Sequence, residues 1–238
     1  GLELSGVKRS LFFWALGLTE DYTYAKEYSG LAAMKRSIAD KLIFSKWREA
    51  LGGNVKGILT GAAPCPMKIK KVFSAAGIPI REGYGLTETS PGIAVGIYSK
   101  TGAILDAVGP LIADVDVIID DSDGNYQPGE GEILTSGPNV MQGYYNKPEQ
   151  TAAVFKEIDG KKWFCTGDIG KLVKGKNGIE FLKITDRKKE LLKTSGGKYV
   201  APAPIENKFK EDFLIEQMMV LGEEKKFVSA LIVPAEEA

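Results

Sequence analysis

The chain of 238 residues contains no histidine. That absence excludes Ser-His-Asp and Cys-His catalysis within it, and every zinc site that needs imidazole, such as HExxH. Cysteine is almost missing as well. Cys65 and Cys165 are too few for a disulfide framework or a four-cysteine zinc site, and they fit a reducing, cytosolic setting. Neither sign of charge is in excess, since 31 Lys and Arg meet 31 Asp and Glu. A dedicated nucleic-acid binder carries a basic surplus, so no nucleic-acid partner is expected. No run reaches the ~18 apolar residues that cross a bilayer, and the first residues do not read as a secretory signal. A cytoplasmic setting is expected, with peripheral membrane association left open. There is no internal repeat and no low-complexity tract.

What is there is ordinary for a folded globular protein, with 44% apolar and 26% charged residues. Glycine is the exception. The 28 glycines include the clusters Gly52-Gly53, Gly83 with Gly85, and Gly196-Gly197. Such clusters mark tight turns or places where a ligand approaches the backbone.

Three textures follow one another. In residues 1–100, positions 31–50 read as a helix with Met34, Ile38, Leu42 and Trp47 in one apolar stripe and Gly52 as its stop. Gly57–Leu59 reads as a buried strand, Pro66–Ala76 as a helix closed by Gly77, and Ile78–Arg81 as another strand. Strand, helix and strand at this spacing suggest a parallel α/β unit. Residues 101–186 are strand-rich, with candidates at 115–120, Glu132–Thr135, Lys162–Cys165, Ile169–Val173 and Ile179–Ile184, and a hairpin signal at Asn177-Gly178. A small antiparallel sheet or barrel is expected there. Residues 187–238 open on charges and continue as a helix near 204–213 and strands near 217–221 and 227–233. About 50 residues bury little core, so this part is expected to be cut short.

Four segments can carry chemistry. Glu82-Gly83-Tyr84-Gly85-Leu86-Thr87-Glu88 follows a strand at the end of the α/β unit, where ligands bind. Tyr84 offers a ring to a flat heterocycle, Thr87 a hydroxyl to a phosphate and Glu88 a hard oxygen to magnesium. A strand ending in a plain Gly turn would look the same. Gly61-Ala62-Ala63-Pro64 lets a ligand lie on the backbone, or simply joins a strand to a helix. In Thr166-Gly167-Asp168 a carboxylate on a tight turn can hold the two hydroxyls of a ribose, or bond its own backbone. Residues 187–200 hold Arg187, Lys188, Lys189, Lys193 and Lys198 against Glu190 alone, which attracts phosphates or forms a solvated face. Asp120, Asp121 and Asp123 before Gly124 lack the calcium-loop pattern and read as a polar hairpin. The stretch Leu11–Leu16 reads as core in preference to a membrane contact.

In order and spacing these four segments resemble the adenylate-forming superfamily, which includes acyl-CoA synthetases, luciferases and peptide-synthetase adenylation domains. Gly83-Tyr84-Gly85-Leu86-Thr87-Glu88 resembles its adenine and magnesium motif, Thr166-Gly167-Asp168 its ribose motif, and Asp186-Arg187-Lys188-Lys189 its hinge. Gly143-Tyr144-Tyr145-Asn146-Lys147-Pro148 and Thr194-Ser195-Gly196-Gly197-Lys198 are similar to those of long-chain fatty-acid–CoA ligases.

The resemblance implies an α/β fold with a small antiparallel β-barrel subdomain, divided as 1–100, 101–186 and 187–238. It implies fatty acid, ATP and CoA as substrates, with magnesium as cofactor. Thr87 and Glu88 would be catalytic, Thr87 on the α-phosphate and Glu88 on magnesium. Gly61, Ala62, Glu82, Gly83, Tyr84 and Gly85 would form the base site, with Tyr84 stacked on adenine. Asp168, assisted by Arg187, would bind the ribose. Lys189 would be the pivot of a mobile small domain, and Ser195, Gly196 and Gly197 would line the pantetheine path. The family's Gly/Ser/Thr-rich phosphate loop and its late catalytic lysine have no counterpart here. The expectation is therefore of a piece of a larger enzyme, inactive alone as a nucleotide-binding fragment. Transfer of the acyl group to a carrier protein or another acceptor is the alternative to CoA.

Overall fold

A computed structural model describes residues 4–24, 26–99, 101–122, 126–175, 178–197 and 199–235. Asp123, Gly124, Asn177 and Lys198, which enter the sequence expectations above, lie outside the described residues.

Helix α1 (Gly6–Gly17) precedes a continuous helical run made of α2 (Gly30–Ala39), a π-helical turn (Asp40–Phe44) and α3 (Ser45–Ala50). Gly52, at φ 84°, follows the run as expected. The expected stripe does not face inward, however. Met34, Ile38 and Leu42 are exposed, whereas Ala15, Ala39 and Phe44 are buried with Ala76, and Trp14 and Trp47 pack on them. A π turn is wider than an α turn. It shifts the phase, so Trp47 joins the side of Phe44 and not that of Met34.

The parallel α/β unit is present. Strand β1 (Ile58–Thr60) crosses over through α4 (Met67–Ala75) to β2 (Ile80–Gly85), and the two strands pair in parallel. Pro66 stands just before α4, and Gly77, at φ 79°, just after it. Strand β2 runs further than the sequence suggests, through the glycine motif itself, because β3 (Gly92–Val95) pairs antiparallel with Gly83, Tyr84 and Gly85.

A second sheet has the order β4 (Asp116–Asp120), β5 (Gly131–Ser136), β7 (Lys161–Lys174), β6 (Phe155–Ile158). Helix α5 (Pro148–Ala153) leads into β6. Strand β8 (Glu180–Arg187) also pairs with β7. On one edge β7 carries β6 along Lys161–Phe164 and then β8 along Asp168–Lys174, while β5 follows the other edge. These pairings do not close into a barrel among the described residues. The sheet still curls strongly, for Asp120 at the end of β4 reaches Lys156 on β6 with Oδ2 and Nζ 2.6 Å apart. Bridges Ala94↔Leu111 and Gly109↔Leu182 tie β3 to β8. Ile93, Ala94, Val115, Ile133 and Leu182 form one buried core between the two sheets.

The last part holds the short pair β9 (Leu192–Lys193) and β10 (Tyr199–Val200), helix α6 (Pro202–Phe209), and the hairpin β11 (Ile215–Leu221) with β12 (Ser229–Pro234). Met218 and Val220 are buried, and the Val220 N–H donates to Glu206 of α6 at 2.8 Å. Leu231, Ile232 and Val233 are exposed. No helix among the described residues is long and apolar enough to cross a membrane.

Candidate nucleotide site

The site grows from the carboxyl ends of β1 and β2. Thr60 lies opposite Glu82 in the parallel register, so both chains leave the sheet on the side where ligands bind in such units. After β1 the chain turns through Gly61–Pro66, with Ala62 at φ 65°. Gly61 lies against β2: a Cβ there would stand 3.1 Å from the Gly83 carbonyl oxygen. Glu82 folds back onto this turn. Its Oε1 accepts the Cys65 N–H at 3.0 Å and its Oε2 pairs with Lys70 Nζ at 2.6 Å. The Glu82 carboxylate therefore shapes the turn beside Gly61 and Gly83.

Tyr84 reaches across to the second sheet. Its hydroxyl donates to Asp168 Oδ2 at 2.6 Å, joining residues 84 positions apart. The segment Thr166–Asp168 is not the tight turn expected from the sequence. It lies inside the continuous strand β7. Strand β5 pairs on both sides of it, Leu134 with Cys165 and Glu132 with Ile169, and the surplus residues bulge. Gly167, at φ 74°, supplies the left-handed residue. The bulge is pinned at three points. The Thr166 hydroxyl donates to the Ile133 carbonyl at 2.7 Å, the Asp168 N–H to Thr166 Oγ1 at 3.1 Å, and the Gly167 N–H to Glu132 Oε1 at 3.1 Å.

Asp168 is buried, and burial raises its carboxyl above the ordinary carboxylate value, opposed by the Tyr84 hydroxyl and the Arg187 guanidinium. Burial, and then the Asp168 charge, raise the Tyr84 phenol in turn. Tyr84 thus remains a protonated donor across neutral pH. Arg187 stands opposite Asp168 in the β7–β8 ladder, with Nε 3.7 Å from Oδ1. Each carboxylate oxygen accepts more than one hydrogen bond, so Asp168 keeps capacity for a ligand's hydroxyls.

Thr87 and Glu88 lie on a 3₁₀ turn, Thr87–Thr89, directly after β2. Thr89 is fully buried and holds the turn, accepting the Leu86 N–H at 2.9 Å and donating to the Pro91 carbonyl at 2.7 Å. That leaves Thr87 exposed. Glu88 is held twice, its Oε1 by the Tyr144 hydroxyl at 2.8 Å and its carbonyl by the Met141 N–H at 2.7 Å. No cluster of three or more metal-ligating side chains occurs among the described residues. One carboxylate beside a hydroxyl fits magnesium, which keeps most of its waters and shares substrate phosphates. A hollow of about 540 Å³, bounded by Tyr144, Tyr145, Pro148 and Phe155, adjoins Glu88 through Tyr144.

The structure thus brings Gly61, Glu82, Gly83, Tyr84, Asp168 and Arg187 into one chain of contacts, with Thr87 and Glu88 at the end of β2. Lys189 is exposed on the 3₁₀ turn Lys188–Glu190. Ser195, Gly196 and Gly197 form a turn between β9 and β10, where the Ser195 N–H donates to the Lys225 carbonyl at 2.9 Å. Space is open at Gly196 and Gly197, where an added Cβ would meet nothing within 4 Å. Sequence reasoning missed Glu132 and Lys70, buried charges whose partners lie 56 and 12 residues away. The one signal for Glu132 was a carboxylate within the apolar run Gly131–Leu134.

Residues 21–145 match the AMP-binding enzyme family, and residues 189–238 match the AMP-binding enzyme C-terminal domain. The long-chain-fatty-acid–CoA ligase FadD15 of Mycobacterium tuberculosis is 36% identical over 234 residues, covering 97% of this chain and 36% of that protein. Human long-chain-fatty-acid–CoA ligase 1 is 37% identical over 226 residues, covering 93% of this chain and 31% of that protein. Among solved structures, ATP-bound MatB from Rhodopseudomonas palustris matches with a TM-score of 0.65 at 26% identity, over 86% of this chain and 40% of its own. The o-succinylbenzoate CoA synthetase MenE from Bacillus subtilis, bound to an acyl-adenylate, matches with a TM-score of 0.64 at 27% identity, over 79% of this chain and 39% of its own. The chain spans about a third of the length of the curated relatives it matches.

Proposed function

This chain belongs to the AMP-binding enzyme family, and from that premise we propose that the whole protein activates a long-chain fatty acid as its adenylate and passes the acyl group to CoA. The observation that carries the reading is the Tyr84–Asp168 contact at 2.6 Å beside the Thr87–Glu88 turn. It supports assigning the Tyr84 ring to the base, the Asp168 carboxylate to the ribose, the Thr87 hydroxyl to the α-phosphate and the Glu88 carboxylate to the metal.

In this reading Tyr84 lies on adenine, with Gly61, Ala62, Gly83 and Gly85 keeping the backbone approachable. Asp168 accepts the two ribose hydroxyls, and Arg187 steadies its charge. The fatty-acid carboxylate attacks the α-phosphorus of ATP. A P–O bond forms, the bond to pyrophosphate breaks, and a mixed anhydride with AMP remains. Thr87 orients the α-phosphate. Glu88 would hold magnesium, which neutralises charge on the phosphate oxygens. In the second step the CoA thiolate attacks the acyl carbonyl and AMP leaves. Lys189 serves as the pivot between the two steps, and the open turn Ser195–Gly197 lies along the pantetheine. The divisions 1–100, 101–186 and 187–238 then correspond to part of the large domain, its strand-rich subdomain and the start of the mobile domain.

The test is AMP release by the whole protein with a long-chain fatty acid, with and without CoA. Sustained turnover that requires CoA is the expected result. A single burst of adenylate that CoA does not discharge would assign the acyl group to a carrier protein or another acceptor. The 238-residue chain by itself is expected to show no fatty-acid-dependent AMP release.

A further inference from the structure

Glu132 is 4% exposed, and its carboxylate joins two segments that the sequence keeps far apart. Oε1 accepts the Gly167 N–H at 3.1 Å, inside the bulge that presents Asp168. Oε2 pairs with Lys188 Nζ at 2.7 Å, on the 3₁₀ turn that follows β8. Lys188 is the residue immediately before Lys189. One buried carboxylate therefore fixes both the ribose bulge and the last residue ahead of the pivot.

We infer that Glu132 is a positioning residue that clamps the stationary side of the hinge to the nucleotide site. This rests on the reading of Lys189 as the pivot. With Lys188 held by Glu132, rotation is confined to Lys189 and the residues after it. The small domain then swings from a base whose place relative to Asp168 is fixed. A buried carboxylate that loses its cation is strongly destabilised, so the pair resists opening while the domain beyond it moves. The Gly167 N–H explains why a carboxylate is used here: it satisfies the amide of the bulge and the lysine at once.

The test uses the whole protein with Glu132→Gln, which keeps an acceptor for Gly167 but removes the charge, with Lys188→Met, and with Lys188→Arg as the conservative variant. Fatty-acid-dependent ATP–pyrophosphate exchange reports the first step, and acyl-CoA formation from preformed adenylate reports the second. Glu132→Gln and Lys188→Met are expected to leave exchange within about threefold and to slow thioester formation about tenfold or more, whereas Lys188→Arg stays near wild type. Tryptic cleavage in the Arg187–Lys193 stretch of Glu132→Gln is expected to quicken severalfold, because the base of the hinge opens. Equal losses in both steps, or an unchanged ratio with an unchanged cleavage rate, would overturn the clamp. If the wild-type protein forms no thioester, the CoA reading fails and the cleavage comparison alone decides the clamp.

Discussion

At the scale of single residues, Asp168 shows a conflict between stability and function. Burial raises its carboxyl, so the folded protein holds the proton more tightly than the unfolded chain does. That preference favours folding at low pH and is lost as pH rises through the folded value, so at neutral pH the ionised group weighs against the fold. Asp168→Asn removes the charge and can still accept from the Tyr84 hydroxyl. It is expected to leave Tm unchanged or raise it by about 1–3 °C at pH 7. ATP affinity is expected to fall about tenfold or more, since a charged acceptor for the ribose is lost. Thermal melts and an ATP titration check both; a lower Tm with unchanged ATP dependence would remove Asp168 from the ribose role. The residue types of this site were legible in the sequence: Tyr84, Thr87, Glu88 and Asp168 stand in the quoted motifs. Their contacts were not. The Tyr84–Asp168 bond joins two sheets, and no local pattern reports a partner 84 residues away.

At the scale of elements, strand β2 separates two glycines that look alike in the sequence. A Cβ on Gly85 would stand 1.5 Å from the Pro91 carbonyl oxygen, a backbone atom that β3 holds in place. A Cβ on Gly83 would make only ordinary contacts, the nearest at 3.8 Å with Leu59. Gly85→Ala is expected to cost about 3 kcal/mol or more by forcing β2 and β3 apart. Gly83→Ala is expected to fold with a near-normal midpoint and to weaken nucleotide binding. Denaturant unfolding of both variants, with an ATP titration of the second, checks the contrast. The helical run 30–50, α4, α6 and most strands were legible because periodicity and Gly or Pro stops mark them, as at α4 between Pro66 and Gly77, whereas α1 and α5 were not expected. The unity of β7 was not. Gly167 resembles a turn glycine, and only pairing with β5 on both sides makes it a bulge.

At the scale of the whole molecule, the curl of the second sheet rests partly on one ion pair between its outer strands. The Lys156 ammonium, and then the Ser122 side chain, hold the Asp120 carboxyl at about 2, below its ordinary 3.8. A depressed carboxyl stabilises the fold above its unfolded value, and the benefit disappears as pH falls through the folded one. Asp120→Asn is therefore expected to melt below wild type at pH 5. The gap should narrow between about pH 4 and pH 2 and vanish below that. Parallel melting curves with a constant gap would detach the pair from the sheet's stability. The expectation of a barrel came from the many short strands. They do curl, but closure depends on pairing between the first and last strands, which no single strand's sequence encodes.

The bulge at Gly167 also sets a limit on how related chains can vary in length. Side chains on a strand alternate faces, so one residue more or fewer reverses every position beyond the change. Most of a protein's surface loops absorb such insertions and deletions. Here a one-residue deletion would carry Asp168 to the opposite face from Tyr84 and would shift the rest of β7, with β8 paired to it, by one position against β5. Loss of Gly167 is thus expected to abolish nucleotide binding even where the remaining chain folds. Length at Thr166–Asp168 is accordingly as constrained as residue identity, and natural variation is to be sought in the β7–β8 hairpin instead.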